Sequence, residues 1–370
     1  MSSRKIFVLA GEISGDIHAA AIVQAIRAQE ADAQFFSTGG PQLKAATTQL
    51  VDTCAHAVMG LVEVVTSLPK QLALFDEIKR HIETVNPDVV IFVDCPEFNL
   101  RMAKAVKKHG RKLVYFISPK LWVWREGRVK IVKECIDEML VIFPFEVGFY
   151  AKHGVKAQYV GHPLVTKAQP HQSARAAYHA DIDHEPHVLL LPGSRRKEIK
   201  MCLAMMLDAA DKVRETVPRV RFTLIKHPTL PAEMFADVAA HGVELVETYD
   251  PYPIFAKTDA AMACSGTVTY ELAILWVPTV VMYTAHHLTY LLWQALAKIK
   301  WASMLNIILG KTVFPELLQY DATSDNLAKE TISLLGDEAR RRSLFADLEY
   351  FHTIIAPFDA DKAARCVLTK

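Results

Sequence analysis

The chain lacks most of the features that would place it outside the cytosol. Its six cysteines, Cys54, Cys95, Cys135, Cys202, Cys264 and Cys366, lie far apart with no C-x-x-C pair. That spacing provides neither a disulfide framework nor a zinc site, so reduced cysteines in a cytosolic protein are expected. No uninterrupted apolar run reaches the roughly 18 residues a spanning helix needs. Near the N-terminus, Arg4 and Lys5 precede a short apolar stretch that Glu12 and Asp16 interrupt too soon for a signal peptide. An excess of one charge is missing as well. The 42 Lys+Arg stand against 41 Asp+Glu, a net charge of +1, which argues against nucleic acid as a partner.

What is present points to two domains. Of 370 residues, 51% are hydrophobic and 22% charged, enough for two cores of similar size and too apolar for disorder. Residues 6–9, 89–93, 113–117 and 139–143 read as strands separated by helical stretches. After a pause near Gly161-His162-Pro163, a second series follows at 188–191, 221–225, 260–262 and 279–282. Continuous Val/Ile/Leu/Phe runs without alternation belong to parallel sheets covered on both faces. The expected class is therefore α/β, with two Rossmann-like parallel-sheet domains facing a cleft and ligands at the carboxyl ends of the strands. The polar stretch between them, with His171, His179, His184 and His187, reads as a solvated linker.

The strand ends carry the chemistry. AGEISGD (residues 10–16) turns the first strand into a helix. Its glycines let a ligand approach the backbone, but Glu12 and Asp16 oppose a phosphate there, so this end suits a hydroxylated acceptor. A tight turn capped by Ser14 or Asp16 accounts for the same residues. Asp94 opens DCPEFN after a strongly apolar run and is placed to take a proton from a sugar hydroxyl. Glu97 is a second carboxylate and Asn99 a group able to orient hydroxyls, although a strand-terminal Asp is also an ordinary helix cap.

In the second half, Gly193 and Ser194 turn a strand into a helix and bring Arg195 to a phosphate. Ser265, Gly266 and Thr267 open another helix suited to a diphosphate, with Glu271 one turn on for ribose hydroxyls. Neither loop has the spacing of a P-loop or a dinucleotide fingerprint, so a nucleotide that leaves as a group is the better fit. Asp181-Ile182-Asp183 has a D-x-D pattern but lies in the polar linker and reads as a solvated turn. Neither it nor the histidines form a metal-ligand cluster. His162 sits at the hinge. Two greasy stretches, Val58 to Phe75 and Leu288 to Trp301, account for a mean hydropathy of +0.14. Each reads either as core or as a face lying on a membrane.

The ordered set AGEISGD, GGP (39–41), MGLVEV (59–64), DCPEFN, SPKLWVWREGR (118–128), FPFE (143–146) and VGHPL (160–164) resembles the lipid-A-disaccharide synthase family. So do LPGSRRKEI (191–199), SGT with Glu271, and NIILGKTVFPELLQ (306–319). The resemblance implies an inverting glycosyltransferase of the GT-B fold. Residues 1–164 would bind the acceptor and 165–346 the UDP-sugar, with the last helix, about 347–370, returning to the first domain. It implies transfer from UDP-2,3-diacylglucosamine to 2,3-diacylglucosamine 1-phosphate (lipid X), giving a β-1,6 disaccharide and UDP. The family acts without metal or cofactor at the inner-membrane surface of Gram-negative bacteria.

By the same resemblance Asp94 matches the family's general base, and Glu12, Arg195 and Asn306 belong to its active site. Met59, Glu316 and Gln319 fall in its motifs towards the acceptor and cleft. Two departures stand out: Glu97 replaces an aspartate, and Trp122-Val123-Trp124 replaces W-A-W. Exchange of C-terminal segments is a route to a homodimer. The rival readings are a UDP-sugar epimerase, another GT-B transferase with a soluble acceptor, and a non-catalytic nucleotide-sugar-binding module. The carboxylates at Glu12 and Asp94 speak against the last.

Overall fold

The computed structural model describes residues 3–53, 68–108, 110–123, 125–180, 184–284 and 299–369. Met59, Trp124, the Asp181-Ile182-Asp183 turn and most of the two greasy stretches lie outside them. The chain divides into two compact units, Met1–Pro163 with Pro357–Lys370, and Leu164–Ala356. Among the described residues, no helix is long and apolar enough to cross a membrane.

The first unit is built on a parallel sheet of β1 (Lys5–Ala10), β2 (Gln34–Gly39), β3 (Thr48–Asp52), β4 (Val89–Val93), β5 (Lys112–Phe116), β6 (Glu138–Val141) and β7 (Ala157–Tyr159). Their spatial order is β3-β2-β1-β4-β5-β6-β7. β4, Val-Val-Ile-Phe-Val, is buried over its whole length. Ile78 and Ile82 of the helix Leu68–Val85, with Met102 and Ala103 of the helix Pro96–Val106, share one core with Phe92. Truncating Phe92 to alanine there costs about 3–5 kcal/mol. The order reverses between β1 and β4, whose register runs from Ile6↔Val89 to Ala10↔Val93. Such a reversal opens a crevice at the carboxyl ends of the two strands.

The chain's end returns to this unit. The helix Ala360–Leu368 packs on the helix Ile13–Gln29. Lys112 Nζ donates to the carbonyls of Cys366 and Thr369, both at 2.6 Å, and Phe358 stacks on Phe116 with centroids 5.2 Å apart. Asp347 lies earlier, in the helix Glu338–Ile354 of the second unit, where Lys311 pairs with it.

The second unit repeats the plan with β8 (His187–Leu191), β9 (Arg221–Lys226), β10 (Glu244–Glu247), β11 (Ala260–Cys264), β12 (Thr279–Tyr283) and β13 (Glu316–Leu318). The order is β10-β9-β8-β11-β12-β13, with its reversal between β8 and β11. One expectation fails here. The histidine-rich stretch is not a solvated linker but packs into this unit as the helices Pro163–Ala168 and Gln172–Ala180. Buried Arg175 donates to the carbonyls of Thr258 and Trp276. His184 pairs with Asp259 at 2.9 Å. His187 lies within β8, its ring between the Lys257 carbonyl at 2.6 Å and Thr223 Oγ1 at 2.8 Å. Burial of polar side chains is offset by partners of this kind, although Arg175 Nε and His179 Nε2 are buried without one.

Candidate active site

At the reversal of the first sheet, the backbone is strained where β4 and β5 end. Asp94 and Cys95 have φ of 49° and 43°, and the β-branched Ile117 has φ of 62°. Left-handed conformations of this kind cost on the order of 1–3 kcal/mol each for residues other than glycine. The surroundings hold them. Asp94 N–H donates to the Phe116 carbonyl at 3.0 Å. The Asp94 carbonyl accepts from Tyr115 Oη at 2.5 Å and Asn99 Nδ2 at 2.7 Å. Gly11, at the end of β1, approaches so closely that a Cβ there would stand 2.7 Å from Cys95 Sγ.

Burial is the main cause that raises the Asp94 carboxyl above its ordinary range, with the charge of Glu12 adding to it. Lys120 and the Cys95 N–H pull the other way. Asp94 is thus a carboxylate of increased basicity at a sheet's switch point, a setting suited to a general base. Glu12 is exposed at the start of the helix Ile13–Gln29, and Ser14 is exposed beside it.

Other expected members of this end hold the fold instead. Asp16 is completely buried and caps the helix Pro41–Ala46, accepting from the N–H groups of Gly40 at 2.8 Å, Gln42 at 2.8 Å and Leu43 at 3.1 Å. It is not open to an acceptor. Asn99 is also fully buried, and its amide serves the Val93 and Asp94 carbonyls rather than a substrate hydroxyl. Glu97 is exposed, but both its oxygens lie on Arg128 at 2.8 Å and Arg125 joins them. The Arg128 bond foremost lowers its pKa, so Glu97 is a poor base. His162 is buried against Phe143, and desolvation drives its pKa down to about 3, so its imidazole is neutral.

Behind these residues lies a cluster the sequence reading did not single out. Glu146 is fully buried and takes Ser118 Oγ at 2.9 Å and Trp122 Nε1 at 3.1 Å on one oxygen. Its other oxygen accepts the Phe143 N–H at 3.2 Å. Desolvation outweighs these bonds and raises its pKa to about 7.

In the second unit, the ends of β8, β9, β10 and β11 enclose a cavity of about 400 Å³. Gly193, Ser194, Arg195, Ser265, Gly266, Thr267 and Glu271 all line it, so the structure brings together every residue expected to hold a nucleotide diphosphate. The two helix starts differ. At the helix Arg196–Thr216, Glu198 folds back and takes the N–H groups of Ser194 at 2.9 Å and Arg195 at 3.1 Å. Gly193, at φ 115°, makes room for it, because a Cβ there would stand 2.5 Å from the Glu198 side chain. That helix start is therefore occupied by the chain's own carboxylate. The Arg195 side chain is 83% exposed and pairs with the other oxygen of Glu198 at 3.3 Å.

At the helix Thr267–Ile274 no side chain caps the start, and nothing lies within 4 Å of where a Gly266 Cβ would be. Uncapped N–H groups at an open helix start favour an anion. Ser265 donates its hydroxyl to the Ala302 carbonyl at 3.1 Å. Glu271 accepts from Tyr252 Oη at 2.7 Å, and its pKa is raised chiefly by burial. On the far side, His227 and the exposed Tyr249 stand with their rings perpendicular, 5.5 Å apart.

Asn306 and Glu316 bond to each other and to the backbone around them. Asn306 is fully buried and all its amide capacity is used, with Nδ2 on the Phe314 carbonyl and Glu316 Oε1, and Oδ1 on the N–H groups of Val313 and Phe314. Glu316 accepts from the N–H groups of Ala302 at 2.7 Å and Ser303 at 2.9 Å. Together they fix the segment whose Ala302 carbonyl receives Ser265. In this arrangement the Asn306 amide holds the backbone of residues 313–314 and the carboxylate of Glu316. Gln319 follows β13 in a left-handed conformation at φ 53°.

A family model described as lipid-A-disaccharide synthetase matches residues 6–367. A lipid-A-disaccharide synthase of Geobacter metallireducens is 38% identical over 94% of this chain and 91% of its own length. Another, from Syntrophus aciditrophicus, is 36% identical over 100% of this chain and 98% of its own. Among solved structures, a putative UDP-N-acetylglucosamine 2-epimerase of Listeria monocytogenes superposes with a TM-score of 0.61 at 14% identity, covering 98% of this chain and 94% of that one. A glycotransferase of kitacinnamycin gives 0.60 at 14% identity, covering 99% and 98%. At such identities these likenesses concern the fold, which is of the GT-B kind.

Proposed function

The chain belongs to the lipid-A-disaccharide synthase family, and on that premise we propose how its residues carry out sugar transfer. It is a glycosyltransferase of lipid A biosynthesis. The donor is UDP-2,3-diacylglucosamine and the acceptor 2,3-diacylglucosamine 1-phosphate. Asp94 takes the proton of the acceptor's 6-hydroxyl as that oxygen attacks the anomeric carbon from the face opposite UDP. The new β-1,6 bond forms as the bond to the diphosphate oxygen breaks.

The second unit holds the leaving group. The guanidinium of Arg195 and the open helix start at Gly266 and Thr267 meet the negative charge that develops on UDP. Glu271 accepts from the ribose, and the base lies towards His227 and Tyr249. The observation that carries this reading is Asp94, a carboxylate of raised pKa in a strained turn at the switch point of its sheet.

The site meets acylated substrates at the inner-membrane surface as a peripheral protein. Leu72 is exposed on the helix Leu68–Val85, whereas Phe75 packs on Phe98 and Trp301 donates to Thr312. Release of UDP, assayed with and without the lipid acceptor, tests the activity. Acceptor-independent release or none at all would overturn it. Flotation with anionic vesicles tests the membrane contact, and protein that stays unbound counts against it.

A further inference from the structure

This inference rests on the reading above, whose acceptor carries a phosphate monoester. The end of the first sheet that holds Asp94 also presents the exposed carboxylate of Glu12, which acts on Asp94 electrostatically. An anionic acceptor arriving there is repelled unless a cation answers its phosphate. The segment after β5 carries three cations, Lys120, Arg125 and Arg128. Arg125 and Arg128 are both engaged with Glu97. Lys120 has no carboxylate within ion-pair distance among the described residues.

The position of Lys120 is set by its neighbours. Ser118, Pro119, Leu121 and Trp122 are buried, and Lys120 alone among these five residues is exposed. On either side the loop is tied to the same oxygen of Glu146, by Ser118 Oγ and Trp122 Nε1. Its beginning is fixed to Asp94, since the Asp94 N–H bonds the carbonyl of Phe116 and the Ile117 N–H bonds that of Leu140 at 3.1 Å. An exposed side chain thus stands on a tethered loop that leaves β5, the strand paired with the one Asp94 ends. Its charge is felt at Asp94, Glu146 and His162. The 1-phosphate and, through its methylene, the attacking 6-hydroxyl are carried on the two carbons that flank the ring oxygen, close together but not within one hydrogen bond of each other. A cation beside the base, but not bonded to it, suits that separation.

We propose that Lys120 binds the phosphate of the acceptor and so selects a phosphorylated sugar over its neutral counterpart. The test is steady-state UDP release in neutral detergent micelles, which contain no anionic lipid headgroup. Wild type, K120M and K120R are each assayed with the phosphorylated acceptor and with the same acylated sugar lacking the phosphate. A charge-assisted bond of this kind predicts that K120M raises KM for the phosphorylated acceptor roughly ten- to a hundredfold. KM for the donor holds, KM for the unphosphorylated sugar changes far less than KM for the phosphorylated one, and K120R recovers most of the loss.

Equal losses with both acceptors would place Lys120's effect on Asp94 or on the fold, and overturn the assignment. So would unchanged kinetics in micelles coupled to weakened vesicle binding, which would assign the lysine to lipid headgroups. Wild-type protein that releases UDP with neither acceptor overturns the parent reading and the assignment with it.

Discussion

Tyr115 donates its hydroxyl to the main-chain carbonyl of Asp94 at 2.5 Å, so a residue inside one strand holds the left-handed end of the next. Burial raises the Tyr115 pKa well above its usual value and keeps it a donor. Tyr115→Phe leaves Asn99 as the remaining side-chain donor to that carbonyl. We expect a loss of about 1 kcal/mol in stability and a fall in kcat with both KM values kept. Thermal unfolding and initial rates measure the two effects, and wild-type turnover in the variant would detach the turn from catalysis.

Asp94→Asn removes the base and should lower turnover by about 10²–10⁴-fold. The wild-type rate should fall on the acid side, as protons return to Asp94. Because its pKa is raised, that limb begins above the ordinary carboxylate range. A pH–rate profile flat down to pH 4 would contradict the assignment.

Arg195→Ala should raise KM for the UDP-sugar and slow its departure, leaving the acceptor's KM alone. Glu198→Gln weakens the carboxylate that competes for the Ser194 and Arg195 N–H groups. Tighter UDP binding is therefore expected in that variant, read by calorimetry. Looser binding would show that Glu198 supports the site rather than competing within it.

Asn306→Ala removes four hydrogen bonds, and the buried N–H and carbonyl of Phe314 lose their side-chain partner. A loss on the order of 2–4 kcal/mol is expected, visible as a lower Tm. If Tm held while kcat collapsed, Asn306 would act on the reacting atoms after all.

Glu146 gives stability a pH dependence of its own. Its pKa rises from 4.5 to about 7 on folding, so between those values the folded state holds a proton the unfolded state has lost. Its contribution is greatest below pH 4.5 and declines as pH rises through 7, by on the order of 3 kcal/mol. Glu146→Gln should flatten the fall in Tm between pH 5 and 8. An unchanged slope would show that Glu146 is not the group titrating.

The long interior strands were legible because their evidence is local. β4 is apolar at five consecutive positions, and β1, β5, β8 and β12 are nearly so. β3, β7, β10 and β13 were not, since short strands towards the sheet edges are polar and partly exposed, as in Thr48–Asp52 and Glu244–Glu247. β2 was missed because only two of its six residues, Phe35 and Phe36, carry apolar side chains. The residues around the second unit's cavity were legible too, because glycine, serine and arginine at strand ends are also local signals.

By itself the sequence determined the two parallel sheets, the family, and the strand ends where chemistry must lie. Each of these depends on neighbouring residues or on the order of motifs. Only the tertiary structure decided which polar side chains stay open to a cavity or to solvent and which meet one another. Asp16 finds its partners 24 to 27 residues away, and Asn306 closes on a segment that folds back over it. A carboxylate or amide looks the same in a motif whether its capacity is open or saturated, since saturation depends on distances that folding alone creates.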